Sequence, residues 1–154
     1  MNYSDCILFG ILFVALIMDY KSSKIPNLLI LFGYGLGVVL LFFSREELWY
    51  FYLIDSIYIL AIGYVLYIGG VFGGGDAKLF AVIALWLGFE QTLMAGVIAV
   101  IAGFICSVFK IIDLIRKKEF QKENFSHLTI HFALPIFVGA LISEVIVWNR
   151  FWQF

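Results

Sequence analysis

Long apolar runs alternate with short polar connections along the whole chain. The first run covers about Ser4 to Met18. DYKSSKIPN, residues 19 to 27, follows as a polar loop with a proline near its end. Leu28 to Phe43 carries no charge and forms a second run; SREELWY, residues 44 to 50, is a short turn with interfacial aromatics. Phe51 to Gly69 is the third run, with Asp55 near its start. GGVFGGGDAKLF, residues 69 to 80, comes next, and five of its first seven residues are glycine. The apolar stretch behind it, Leu79 to Phe89, has 11 residues, where a membrane helix needs about 20. The fourth helix is therefore expected to start earlier, with Asp76 and Lys78 in its first turn at or just below the membrane surface. Glu90 and Gln91 read as a brief turn and Thr92 to Phe109 as the fifth run. KIIDLIRKKEFQKEN, residues 110 to 124, is a basic, partly amphipathic loop. Leu128 to Trp148 is the sixth run, interrupted by Pro135 and carrying Glu144. The pattern predicts an all-α polytopic membrane protein of six transmembrane helices, one domain over residues 1–154.

Composition agrees. Of 154 residues, 64% are hydrophobic and 14% charged, and the mean hydropathy is +1.04. A soluble domain has about 45–50% apolar and about 25% charged residues. The net charge of −1 gives no reason to expect nucleic acid as a partner; the expected surroundings are a lipid bilayer. Cys6 and Cys106 each sit in an apolar run without zinc-site spacing and read as small hydrophobes. MNYSDC has no basic segment, so no secretory signal peptide is expected.

Charge placement orients the six runs. Lys21, Lys24, Lys78, Lys110, Arg116, Lys117, Lys118 and Lys122 fall on one side, Arg45 and Arg150 on the other. The positive-inside rule makes the first side cytoplasmic and puts both termini outside. Five spans would move the basic loop across and erase the bias. In the six-span arrangement Asp19 and Asp76 both lie at the cytoplasmic edge, at similar depth.

Ionisable residues at membrane depth are functional candidates. Asp55 and Glu144, near outer helix ends, read as structural. Asp113 is placed to pair with Arg116 or Lys117 along a helix. Asp19 and Asp76 are either two snorkelling interfacial acids or a pair. If they meet, like charges a few ångströms apart cannot both ionise. The charged member can then activate water while the neutral one polarises a carbonyl. The helix dipole favours a charged Asp76 by roughly 0.3–1 kcal/mol. Coupling in such dyads separates the two pKa values by about three, so coupling outweighs the dipole. Gly73, Gly74 and Gly75 either make a flexible turn or leave backbone groups bare for an extended peptide. Lys78 is a candidate for binding a substrate acid, for tuning Asp76, or for simple anchoring.

The motifs resemble those of the type IV prepilin peptidases. Asp19 followed by Ile25, Pro26 and Asn27 is similar to the family's first motif, an Asp and then an apolar residue, Pro and Asp or Asn. GGGDAKL, Gly73 to Leu79, is similar to its GxGD motif. ALWLG (Ala84 to Gly88) and HFALPIFVGA (His131 to Ala140) continue the likeness. The resemblance implies an intramembrane aspartic endopeptidase of the plasma (inner) membrane. Such an enzyme removes the leader of prepilins at the cytoplasmic face, after a glycine, with Asp19 and Asp76 as its catalytic pair and no metal or cofactor. Gly73, Gly74, Gly75, Lys78, Pro26 and Asn27 are the candidate substrate-binding residues. Larger members carry a four-cysteine cytoplasmic region and N-methylate the new terminus. Residues 19 to 27 are too short to hold such a region, so no methyltransferase activity is expected. The closest likeness is to the small peptidases of Flp-type pilus systems. The alternatives are a small ion-coupled transporter and a non-catalytic pilus or secretion assembly subunit. Transport sites lie near the bilayer midplane, whereas these acids lie at one edge.

Overall fold

The computed structural model describes residues 3–44, 49–70, 72–116 and 132–151. Six helices account for nearly all of them: α1 (Tyr3–Ser22), α2 (Asn27–Ser44), α3 (Trp49–Ile68), α4 (Gly74–Leu87), α5 (Phe89–Arg116) and α6 (Ala133–Phe151). The chain is all-α, and no strand occurs among the described residues. Helices α3 and α5 are long and apolar enough to cross a membrane, over Trp49–Ile68 and Phe89–Asp113. The outward faces are apolar as well. Phe43, Ile57, Val65, Ile68, Phe104 and Phe109 are all exposed, an arrangement that suits lipid as the surrounding solvent.

The organising element is α4. It packs against each of the other five helices. Ala77 and every residue from Leu79 to Trp86 is buried, and a helix that is apolar all round belongs in an interior. Its 14 residues span about 21 Å at about 1.5 Å each, short of the roughly 30 Å hydrocarbon core. The shortness is tolerable because neighbouring helices, rather than lipid, surround it.

Polar groups fasten it. Ser56 Oγ of α3 donates to the Ala81 carbonyl at 2.7 Å. With the Ser56 proton so committed, the Tyr34 hydroxyl of α2 donates to Ser56 Oγ at 2.9 Å. Trp86 Nε1 donates to the Gly33 carbonyl at 3.1 Å. In hydrocarbon an unmet polar group is costly, so these bonds fix both rotation and depth. Small residues set the close approaches. A Cβ on Gly63 would lie 2.8 Å from Ala77 Cβ, and one on Gly139 of α6 would collide with the Ala95 carbonyl of α5. Such contacts are the usual currency of helix packing in membranes.

Several element boundaries differ from those the sequence suggests. Residues 19 to 22 are not loop: α1 continues through them and ends only at Ser23, whose φ is +52°. Glu90 and Gln91 make no turn. The break between α4 and α5 is Gly88 alone, at φ 83° and ψ 176°, a conformation open essentially to glycine. Asp55 Oδ2 of α3 accepts the Phe89 N–H at 3.1 Å, capping α5 from a neighbouring helix. Residues 110 to 116 extend α5 rather than opening the basic loop; the rest of that loop, residues 117 to 124, lies outside the described residues. Pro135 does not interrupt α6, because it falls in the helix's first turn, where a missing N–H does no harm. The expected start of that run, 128 to 131, also lies outside the described residues.

Candidate active site

At one end of the bundle a cleft of about 410 Å³ opens between the end of α1, the turn into α2, the start of α4 and the residue before α6. Its walls include Asp19, Asn27, Gly73, Gly74, Gly75, Asp76 and Phe132. Two carboxylates 57 positions apart therefore share one cavity.

Each is placed by local structure. Asp19 stands in the last turn of α1. Its backbone carbonyl accepts the Ser23 N–H at 2.7 Å, and Ser22 Oγ closes the turn on the Met18 carbonyl at 2.8 Å. Its side chain is 8% exposed. Asp19 Oδ2 accepts the N–H of Ala133, the first residue of α6, at 3.3 Å. A carboxylate at a helix N-terminus faces the positive end of the dipole.

Asp76 is the third residue of α4. Gly73, in extended conformation at φ −72° and ψ 148°, precedes the helix as its cap. The Gly73 carbonyl accepts the Ala77 N–H at 3.1 Å, while the Gly73 N–H donates back to the Asp76 carboxylate. That return bond is half of a capping box. It orients the carboxylate into the cleft. A Cβ on Gly73 would sit 2.8 Å from Asp76 Oδ2, so glycine here leaves the space that the carboxylate fills. Asp76 precedes the apolar stretch of its helix, at its polar end. Burial, and then the negative charge of Asp19, push its carboxyl up from 3.8 to about 6; the Gly73 bond acts in the opposite direction.

The turn between α1 and α2 docks on the same place. Pro26 restricts the residue before it to extended backbone. Ile25 thereby lays its side chain against Gly75, where a Cβ would be 3.4 Å from Ile25 Cβ. Asn27, which follows Pro26, accepts a hydrogen bond from Lys78 Nζ at 2.9 Å. The two sequence motifs are therefore in direct contact, and each holds the other.

A family model described as the type IV leader peptidase family matches residues 6–108. The chain belongs to that family. The match takes in Asp19, the Ile25-Pro26-Asn27 turn and the whole of Gly73 to Lys78, and it stops short of α6. No curated protein and no solved structure matches the chain. Membership makes this a leader-peptidase-type protease, and it is a membrane-associated family, in accord with the apolar α3 and α5.

Not every candidate from the sequence faces this leader peptidase cleft. Asp19, Asn27, Gly73, Gly74, Gly75 and Asp76 do. Pro26 instead lines an apolar groove with Met18, Leu29 and Phe32. Lys78 is exposed and lines a smaller recess with Tyr64, Tyr67 and Gly74, behind the cleft. Two participants escaped sequence reasoning, Phe132 and the Ala133 amide. Phe132 packs against Phe72 with ring centroids 5.2 Å apart and ring planes at 55°, closing one wall. The HFALP run pointed to α6, but a backbone amide leaves no mark in a sequence. Among the described residues no group of three His, Cys, Asp or Glu could hold a metal ion.

Proposed function

We propose that this protein is an aspartic endopeptidase that removes the leader of pilin-like precursors, with Asp19 and Asp76 as the catalytic pair. The observation that carries the reading is that the two aspartates, from separate helices, line a single cleft. In the reacting form Asp76 carries the proton, which burial and the neighbouring carboxylate favour up to about pH 6, and Asp19, faced by the amide that opens α6, acts as the base. The charged carboxylate takes a proton from water as the water attacks the scissile carbonyl. The protonated one donates to the carbonyl oxygen as it becomes an oxyanion. Neither step needs a metal.

The Gly73–Gly75 edge, without side chains, receives the precursor in extended form through its backbone. The Asn27 side chain also lines the cleft. Six helices cross the membrane with both termini outside, and the cleft opens to the cytoplasm. The support for this is the bias of lysines and arginines and the clustering of Lys24, Asp19 and Asp76 at one end. The precursor's leader, cut after a glycine, lies on the basic side, and its apolar helix runs down the bundle. The enzyme works in the plasma (inner) membrane in a pilus or secretion system of the Flp type, and it does not N-methylate its product.

The test is cleavage of a purified pilin-like precursor in detergent or liposomes, followed by mass and N-terminal sequence. Wild type should yield one product beginning just after a glycine. Asp19→Asn and Asp76→Asn should each yield none. Full processing by either variant refutes the pair.

A further inference from the structure

Lys78 and Asn27 entered as candidates for binding substrate, yet they bind each other. Lys78 Nζ reaches Asn27 Oδ1 at 2.9 Å across 51 positions of sequence. An ammonium group only donates, so the amide must present its oxygen. Each partner sits beside a catalytic candidate. Lys78 is two residues past Asp76 on rigid, buried α4. Asn27 opens α2 at the far side of the short turn that begins where α1 and Asp19 end. The Ile25 contact on Gly75 lies between them. The bond therefore spans from the element that carries Asp76 to the connection that carries Asp19.

We propose that Lys78 and Asn27 are positioning residues: their hydrogen bond is a clasp that holds the α1–α2 turn on α4 and so sets the separation of the two carboxylates. The proposal rests on the proteolytic reading for its kinetic consequence, though not for the clasp itself. Lys78 would not touch the substrate. Releasing the clasp lets the turn drift from α4, which misplaces Asp19 without removing any group the precursor binds. The loss then appears in kcat, not in KM.

The decisive variants are Lys78→Met, Asn27→Ala, their combination, and Asn27→Asp, which keeps an acceptor for the ammonium. Through misplacement of Asp19, Lys78→Met and Asn27→Ala should each lower kcat by about 3- to 10-fold, with KM changed less than about twofold. The double variant should be no worse than the worse single. Asn27→Asp should stay within about twofold of wild type. The clasp is overturned if Lys78→Met raises KM at unchanged kcat, which would make Lys78 a substrate ligand. It is equally overturned if Asn27→Asp is as impaired as Asn27→Ala, or if the two single losses multiply. A parallel arm needs no substrate: melting of wild type, Lys78→Met, Asn27→Ala and the double variant in detergent should show the same non-additivity. Additive melts refute the clasp. Should wild type fail to cleave any precursor, the proteolytic reading falls and the melts still decide the clasp.

Discussion

Replacing Asp76 with asparagine should abolish cleavage and stabilise the protein at the same time. The Asp76 carboxyl ordinarily titrates at 3.8, and in the fold at about 6. The raised value means that the folded chain binds this proton more tightly than the unfolded chain does. The folded state therefore bears no penalty below pH 3.8. A penalty grows as pH rises from 3.8 to about 6, and it is constant above that. At about 1.36 kcal/mol for each tenfold, the full gap is roughly 3 kcal/mol. Asp76 is only partly buried, and screening by solvent reduces the figure to roughly 1–2 kcal/mol. Asparagine carries no charge, is nearly the same shape, and can still accept the Gly73 N–H through Oδ1. At pH 7.5 the variant should melt higher by roughly 3–6 °C, at the unfolding entropy of globular chains of this size. At pH 3.5 the two proteins should melt together. Circular dichroism in one detergent at both pH values is sufficient. A lower melting point for Asp76→Asn at pH 7.5, or a difference that ignores pH, would show that Asp76 is an ordinary capping residue and that the charge cost is absent.

The same titration makes the free enzyme pH-dependent. If neutral Asp76 is the proton donor, kcat/KM on a precursor should fall as pH rises from 6 to 8, approaching about tenfold per unit; a flat or rising profile would sink that assignment. Gly73→Ala is compatible with the backbone at φ −72°, yet its Cβ meets Asp76 Oδ2 at 2.8 Å. It should leave the melting point within about 2 °C while cutting cleavage by about tenfold or more; an active variant would mean that the carboxylate is not aimed from there. Gly88→Ala should do the reverse. Its φ of 83° and the Tyr52 ring 3.2 Å from the new Cβ should destabilise the fold by about 1–3 kcal/mol, read as a lower melting point. Residual folded protein should turn over at the wild-type rate.

The six helices of the described residues and the leader peptidase family were legible because long apolar runs and the two motifs are strong signals. The boundaries were less so, for a physical reason. Polar residues at the end of an apolar helix look like loop, because side chains such as Lys21 can reach out to solvent while the backbone stays helical. So α1 runs four residues past the expected end at Met18. Glu90 and Gln91 mimic a turn only if the helix break is sought among charged residues; the break is at Gly88, whose positive φ a sequence does not display. The capping role of Asp55 depends on an amide 34 positions away. Likewise Lys78 and Asn27 each have chemistry suited to a substrate, and nothing in their spacing says that they are spent on one another.

The two halves of the site rest on unequal supports, and this bears on how the enzyme turns over. Asp76 opens α4, which every other helix touches and whose side chains are almost wholly buried. Asp19 sits at the end of α1, held by its own turn, by the Ala133 amide and, through that turn, by contacts on α4. Adjustment between the carboxylates must therefore come from the Asp19 side. Substitutions along α4, such as Ala81 or Ala84 to larger residues, disturb the packing of five neighbours and should lower stability first. Substitutions at Ile25, which stands half-buried on the docked turn, should lower turnover first. Ile25→Ala removes the contact with Gly75 at 3.4 Å from a half-buried surface position. It should reduce kcat several-fold while moving the melting point little. If its activity loss merely tracked its loss of folded protein, the separation of the two supports would be wrong.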